Sequence, residues 1–331
     1  MPFGLRNSAS TFQRFIDNTI RELPCCLVYL DDTLVFSDDA PSHEIHLKKL
    51  LEKIIQSSGL KVNEEKCEFR KQTITFLGYE VDKDGIRPPK ARIDALQNLK
   101  QPRDKKELVR YIGMFGFYQR CIPNYAEFVE PLREVQRSPT FVWKEHHTKA
   151  LENLKKSLVN ATRLAFPNHR GHMNITADAS NIGIGACLNQ IQNGECRPLG
   201  FFSRKLSEAE RRTSTFEKEL LAIFASVKRW RDLLDPGNVT IFTDHKPIVG
   251  AFNSDKQRLS DKQQRQLSFI SEYTSDIVHV AGKDNVVADS FSRVASINAS
   301  TVLQHVISLQ LQKCRQRKRG TTRSLKLSTL E

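Results

Sequence analysis

The stretch Met173-Asn-Ile-Thr-Ala-Asp178-Ala-Ser180 reads as a short β-prone run that ends in a carboxylate. Three further acids stand in comparable settings. Glu219 falls at the start of a helical pattern, Asp244 directly follows the apolar run Val239–Thr243, and Asp289 lies on a short C-terminal helical pattern. Carboxylates brought to one point repel each other by about 4 kcal/mol per close pair at an effective dielectric of about 20. A cation makes such a cluster sensible, and all-oxygen ligation selects Mg²⁺ or Mn²⁺. The expectation is a two-ion site for phosphodiester hydrolysis.

The segments around these acids alternate strand and helix. Ile182–Asn189 reads as a second strand, Asn193-Gly194 as a hairpin turn and Pro198–Ser203 as a third strand. Ser214-Thr-Phe-Glu217 caps a helix with Leu220, Ile223, Phe224 and Val227 facing inward, ended by Pro236-Gly237. Val239–Thr243 is a fourth strand. Helices near 247–252 and 261–273, a fifth strand at 276–280 and a helix at 285–292 complete the run. Three strands, helix, strand, helices, strand, helix is the order of a ribonuclease H-like fold with a five-stranded mixed sheet.

Upstream, residues 1–85 read as an α/β piece. Ser8–Ile20 is helical with Phe12, Phe15, Ile16 and Thr19 on one face. Cys26–Leu30 and Thr33–Phe36 flank Asp31-Asp32 as a hairpin with acids at its tip, although a solvated turn would use the same residues. A helix over about 42–57 buries Ile45, Leu47, Leu50, Leu51 and Ile54, and Thr73–Val81 is one further strand. Residues 86–170 are mostly helical: Lys90–Leu99, a helix opened by the capping box Asp104-Lys-Lys-Glu107 with Leu108, Tyr111, Ile112 and Phe115 at core spacing, a short helix from Pro123, and one from Glu145 to Asn160. Lys105, Lys106 and Arg110 decorate the outer faces of the second helix, where they either track a phosphate backbone or form a solvated charged face.

Composition agrees with a polyanionic partner. The net charge is +13, with 51 Lys/Arg against 38 Asp/Glu. Seven Lys/Arg against one Glu leave +6 in residues 313–331, and the other +7 is spread over the remaining chain. The tail from 295 reads as a basic disordered end, with Lys313–Arg319 as an alternative nuclear-targeting or nucleic-acid-binding arm. Seven scattered cysteines fit a reducing compartment, and no apolar run reaches the roughly 18 residues of a membrane span. The expected setting is intracellular, cytoplasmic or nuclear, without membrane attachment.

Specific motifs carry a resemblance. Met1-Pro-Phe-Gly-Leu-Arg-Asn-Ser-Ala-Ser-Thr-Phe-Gln13, Tyr29-Leu-Asp-Asp32-Thr-Leu-Val-Phe-Ser37, Gly59-Leu-Lys-Val-Asn63 and Phe76-Leu-Gly-Tyr79 resemble the palm and primer-grip motifs of reverse transcriptases. Thr176–Ser180, Ser214–Ile223, Phe242–Pro247 and Gly282–Arg293 resemble the ribonuclease H of gypsy-class long-terminal-repeat retrotransposons. The resemblance implies a partial palm (1–85), a helical thumb and connection (86–170) and a ribonuclease H domain (171–294), followed by the tail (295–331). It makes Asp178, Glu219, Asp244 and Asp289 ligands of two Mg²⁺ or Mn²⁺ ions; Glu219 is preferred to Glu217 because Leu220-Leu-Ala-Ile follows it. It makes Asp31 and Asp32 two of three polymerase carboxylates. The third acid and the fingers belong upstream in the family, so the expected polymerase site is partial; a polymerase completed by another Pol chain, and an inactive or domesticated nucleic-acid-binding remnant, are the alternatives.

Implied nucleic-acid contacts are Gln13, Tyr29, Gly78, Lys105, Lys106, Arg110, Ser180 and Gly183, with RNA–DNA hybrid and primer–template as partners. Gly183 and Gly185 either admit the hybrid backbone closely or mark a bulge. The loop Ala281–Asp284 lacks the histidine that some ribonucleases H carry there. Gly183-Ile-Gly185 lacks the third glycine of a dinucleotide fingerprint, and His43-Glu-Ile-His46 with the distant Cys67 is a poor zinc set.

Overall fold

The computed structural model describes residues 5–57, 59–168, 171–192, 194–253 and 259–280. The chain divides into two compact units, one up to Lys83 and one from Asp84 onward.

The first unit contains helix α1 (Ser8–Ile20), strands β1 (Cys26–Tyr29) and β2 (Asp32–Val35), helix α2 (Ala40–Glu52) and strands β3 (Thr73–Phe76) and β4 (Tyr79–Asp82). Its core gathers Ile20, Leu23, Cys25, Cys26, Leu50 and Ile54. The helix faces are rotated from the expected ones. On α1 the i, i+4 pair Ile16 and Ile20 is buried and Phe15 is 43% exposed; on α2 Leu50 goes inward and Ile45 is 54% exposed, and Ile54, just past the helix, is buried. A short hairpin covers only a narrow stripe of each helix, so the outer members of a broad apolar face stay in solvent. Asp39 caps α2, accepting from Ser42 N at 2.8 Å. The single strand expected at 73–81 is a hairpin, with Phe76 opposite Tyr79. Leu77 (φ 48°) and Gly78 (φ 79°) supply the left-handed pair that a tight two-residue turn requires.

The second unit opens with strand β5 (Gly85–Arg87), whose Ile86 exchanges both backbone hydrogen bonds with Leu164 at 2.8 and 2.9 Å. Helices α3 (Lys90–Gln97), α4 (Lys105–Phe117), α5 (Tyr125–Arg137) and α6 (Glu145–Val159) follow. Asp104 caps α4 by accepting from Glu107 N at 2.7 Å, but the Glu107 carboxylate accepts from Arg103 N at 2.8 Å, so the expected capping box closes one residue earlier. Leu108, Tyr111 and Phe115 are buried as expected, while Ile112 is only half-buried. The helix from Pro123 runs through 13 residues and carries Pro131 within it.

Next come strands β6 (Met173–Ala179), β7 (Gly183–Gln192) and β8 (Glu195–Lys205), short helix α7 (Glu208–Arg211), helix α8 (Thr215–Trp230), strand β9 (Val239–Thr243), helices α9 (Lys246–Asn253) and α10 (Asp261–Ser271), and strand β10 (Asp276–His279). The five strands form one sheet in the order β10-β9-β6-β7-β8. β10 and β6 run parallel to β9, and β7 is antiparallel to both β6 and β8. The expected third strand, 198–203, extends to Glu195–Lys205. Pro198 is tolerated because β8 is a sheet edge and the register shifts between Leu188 and Asn189, the residue opposite Pro198.

Ile175, Ile184, Leu188, Leu220, Ile223 and Val227 are among the fully buried residues that pack α8 on the sheet. Each such side chain stabilises by about 1.5–3 kcal/mol. The start of α5 is fastened to β8. Ala126 N donates to Ser203 Oγ at 2.6 Å, and buried Glu130 accepts from both Lys205 and Arg137. The helical segments and the sheet thus belong to one unit. Among the described residues no helix is long and apolar enough to cross a membrane. Asn193 and the expected helix at 285–292 lie outside the described residues.

Gly85 adopts φ +140°, and a Cβ there would stand 2.0 Å from Leu164 O. Gly85→Ala should therefore destabilise the chain by about 2–4 kcal/mol. Urea unfolding reads this directly; an unchanged midpoint would show that the β5–Leu164 bridge does not constrain the second unit.

Candidate active site

Strand direction brings two of the acids together. Asp178 is the sixth residue of β6, still in register opposite Gly185 on β7, and Asp244 follows the last residue of β9. Because β6 and β9 are parallel, both chains emerge at the same sheet edge; an antiparallel pair would separate these acids by the strand length. The third acid comes from α8. Ser214 caps that helix, its Oγ accepting from Glu217 N at 3.3 Å, while the Glu217 carboxylate returns to Ser214 N at 3.2 Å. The cap occupies Glu217 and leaves Glu219, two positions further, for the sheet edge.

The nearest carboxylate oxygens of Asp178, Glu219 and Asp244 lie within 4.8 Å of one another. Asp178 is half-buried, Glu219 is 5% exposed and Asp244 is exposed. Asp178 Oδ1 accepts from Ala179 N at 2.8 Å, and the main-chain oxygen of Asp244 lies 3.0 Å from His279 Nε2 on β10. Glu219 Oε2 is buried with no hydrogen-bond partner. Burial foremost, then the charges of Asp178 and Asp244, push the Glu219 carboxyl from 4.5 up to about 9, against a smaller opposing pull from the Ala179 N–H. An orphaned carboxylate oxygen facing two more acids is a donor set that fits a hard divalent cation.

Asp289, the fourth expected ligand, lies outside the described residues, as does the loop at 281–284. Asp31 and Asp32 sit in the first unit. Tyr29 pairs with Asp32, which makes Leu30 (φ 51°) and Asp31 the two-residue turn and Asp32 the first residue of β2. Both acids and Tyr29 are exposed. Gln13 does not point outward: its Oε1 accepts from Leu30 N at 2.8 Å, and its Nε2 donates to Val28 O at 3.0 Å and Asp17 Oδ1 at 2.8 Å. It latches the acidic turn to α1. Gly78 occupies the left-handed position of the β3–β4 turn.

The other expected contacts divide in the same way. Lys105 Nζ donates to Ser138 O at 2.7 Å, tying α4 to the end of α5. Arg110 stands over the Tyr111 ring at 5.8 Å and 3.7 Å from Glu107, and Lys106 is exposed. Ser180 Oγ accepts from Ile182 N and Gly183 N at 3.2 and 3.0 Å, bracing the turn between β6 and β7. A Cβ on Gly183 would meet Arg204 O of β8 at 3.0 Å, so tight packing within the sheet is one reason for that glycine. The register irregularity lies at Leu188/Asn189, away from both Gly183 and Gly185.

Two groups beside the cluster had no part in the sequence reading. His245, next to Asp244, is held down from its usual imidazole range by burial, and its ring lies 5.9 Å from that of Phe216. Lys218, next to Glu219, is buried and donates to Asn181 Oδ1 at 3.2 Å. Adjacency to the acids was the available signal for both. A cleft beside Asp178 is lined by Ser180, Gly183, Ser203 and Lys205 of the sheet and by Asn124 and Glu127 of the α5 entry.

A mixed sheet with three acids converging beside α8 defines a ribonuclease H-like domain, preceded here by an α/β unit with an acidic hairpin. Residues 143–241 match the family described as an RNase H-like domain found in reverse transcriptase, and residues 1–81 match the reverse transcriptase (RNA-dependent DNA polymerase) family. The chain belongs to the retrotransposon Pol family, with reverse transcriptase and ribonuclease H-like domains. It is 35% identical over 309 residues to the retrovirus-related Pol polyprotein from transposon opus of Drosophila melanogaster, covering 89% of this chain and 30% of that protein. It is 30% identical over 300 residues to the transposon Tf2-3 polyprotein of Schizosaccharomyces pombe, covering 89% of this chain and 22% of that one. The chain therefore spans less than a third of these relatives. Among solved structures, the foamy viral protease-reverse transcriptase in complex with RNA/DNA hybrid has a TM-score of 0.71 at 22% identity, over 90% of this chain and 41% of that one, which establishes the shared fold.

The Glu219 environment makes a signed prediction. The unfolded chain ionises this carboxyl near 4.5, whereas the fold holds its proton to about 9. The folded state thus binds more protons between those values and loses stability as pH rises through them. In EDTA, Glu219→Gln should stabilise the chain by about 1–3 kcal/mol at pH 7, an advantage that grows between about pH 5 and 9. Thermal melts across that range test it. A destabilised variant, or a difference independent of pH, contradicts the geometry.

Proposed function

We propose that this chain is the reverse transcriptase–ribonuclease H portion of a retrotransposon Pol protein, and that its second unit hydrolyses the RNA strand of RNA–DNA hybrids. The convergence of Asp178, Glu219 and Asp244, with Glu219 Oε2 buried and unpartnered, carries this reading. Asp178, Glu219 and Asp244 would hold the divalent ions, Mg²⁺ or Mn²⁺, with Asp289 as the fourth ligand. Bound there, two such ions would supply an activated water and stabilisation of the departing 3′ oxygen. Products with 5′-phosphate and 3′-hydroxyl ends follow from that chemistry.

The protein's own contribution is placement. β6 and β9 fix two acids at one edge, α8 delivers the third, and the Ser180-braced turn with Gly183 presents backbone to the hybrid. RNA is the strand cut because its 2′-hydroxyl is accessible in the wide, shallow minor groove. The foamy viral relative of this fold was captured with an RNA/DNA hybrid, which supports the choice of substrate. For the first unit, the exposed acidic turn latched by Gln13 supports Asp31 and Asp32 as polymerase carboxylates, the role that the reverse transcriptase resemblance gives them.

Cleavage of an end-labelled hybrid in Mg²⁺ is the test. Wild type should cut the RNA strand, EDTA should stop it, and Asp244→Asn should lower the rate by at least about 10²-fold without loss of fold. Equal cutting by the Asp244→Asn variant would overturn the assignment.

A further inference from the structure

Two lysines of the second unit are equally buried, and their surroundings differ. Lys155 and Lys218 are each 9% exposed. Lys155 donates to the Glu152 carboxylate at 2.9 Å and to Leu99 O at 2.6 Å, so its charge is compensated. Lys218 donates to the neutral amide oxygen of Asn181 at 3.2 Å, and among the described residues no carboxylate lies within 4.0 Å of its ammonium. Two cations of β8 are paired, Lys205 with Glu130 and Arg204 with Glu210.

Position adds a second cost. Lys218 is the fourth residue of α8, at the end where free N–H groups and the helix dipole favour anions. An ammonium on a largely covered stem, with one neutral acceptor and near the N-terminal end of a helix, lacks a compensating charge in the free protein. An incoming anion removes both costs.

Location identifies the anion. Lys218 immediately precedes Glu219, and its acceptor Asn181 lies on the turn between β6 and β7, three residues beyond Asp178. That turn is exposed and borders the cleft beside the carboxylate cluster. We propose that Lys218 binds a backbone phosphate of the hybrid next to the linkage that is cut, with Asn181 holding the ammonium at the turn until the nucleic acid arrives. The inference rests on the hybrid-cleaving reading of the site and assigns it a phosphate contact.

The alternative is a strut that joins α8 to the turn, and the two roles differ in sign. Full-length wild type, Lys218→Met, Lys218→Arg and Asn181→Ala are compared by anisotropy of a labelled hybrid in Ca²⁺ at about 50 to 200 mM KCl. Losing a phosphate contact should make the slope of log affinity against log salt shallower by about 0.9 for Lys218→Met, with Lys218→Arg restoring it and Asn181→Ala keeping the wild-type slope. The melting temperature of free Lys218→Met should rise by about 1–4 °C, because an uncompensated cation near the N-terminal end of α8 is gone. A strut predicts the reverse: a lowered melting temperature, an unchanged slope, or the same slope change in Asn181→Ala overturns the proposal. Hybrid cleavage by wild type in Mg²⁺, run in parallel, separates the two readings. A wild type that cuts while the Lys218→Met slope is unchanged overturns the Lys218 contact alone. One that neither cuts nor binds overturns both.

Discussion

Three carboxyl groups held together at the sheet cannot all ionise without repelling one another, and the fold keeps them there all the same. Parallel pairing of β6 with β9 places Asp178 and Asp244 side by side, and a well-capped α8, buried along one face, brings Glu219 within 4.8 Å of both. The packing of Leu220, Ile223 and Val227 against the sheet outweighs the local repulsion. Strain of this kind at a site supported by a rigid core is what a metal-dependent centre requires.

Much of that arrangement was legible in the residues. Val239–Thr243 followed by Asp244 can hardly be other than a strand ending in an acid, and the β9 boundaries agree. The choice between Glu217 and Glu219 rested on a resemblance; the structure supplies its physical reason, since the cap consumes Glu217. Errors arose where local pattern under-determines packing. A broad apolar stripe does not say which edge of it a small unit will cover, so Phe15 and Ile45 share the apolar faces of their helices and yet lie in solvent. Leu77-Gly78 lacks the Asn-Gly or Asp-Gly signal, so a hairpin read as one strand. Lys218 and its missing counter-ion were invisible in sequence, where a lysine between two glutamates looks like an exposed pair of ion bridges.

Polar latches do a second kind of work here. Gln13 uses both ends of its carboxamide on the hairpin that carries Asp31, while its Nε2 also bonds Asp17 of its own helix, and so converts an exposed acidic tip into a fixed one. Glu130 gathers Lys205 and Arg137 and ties α5 to the edge strand β8. Buried pairs of this sort contribute little net stability, yet they fix which surfaces meet. In the second unit that contact builds one wall of the cleft beside Asp178.

The most direct test of the account is calorimetric titration of Mn²⁺ into the nucleic-acid-free protein at pH 7, in two buffers of different ionisation enthalpy. Burial and the neighbouring acids hold Glu219 protonated well above the usual carboxylate range. A cation that binds the three carboxylates must therefore expel about one proton. The predicted result is binding whose apparent heat differs between the buffers. Equal heats, or no binding, would contradict a shared carboxylate site.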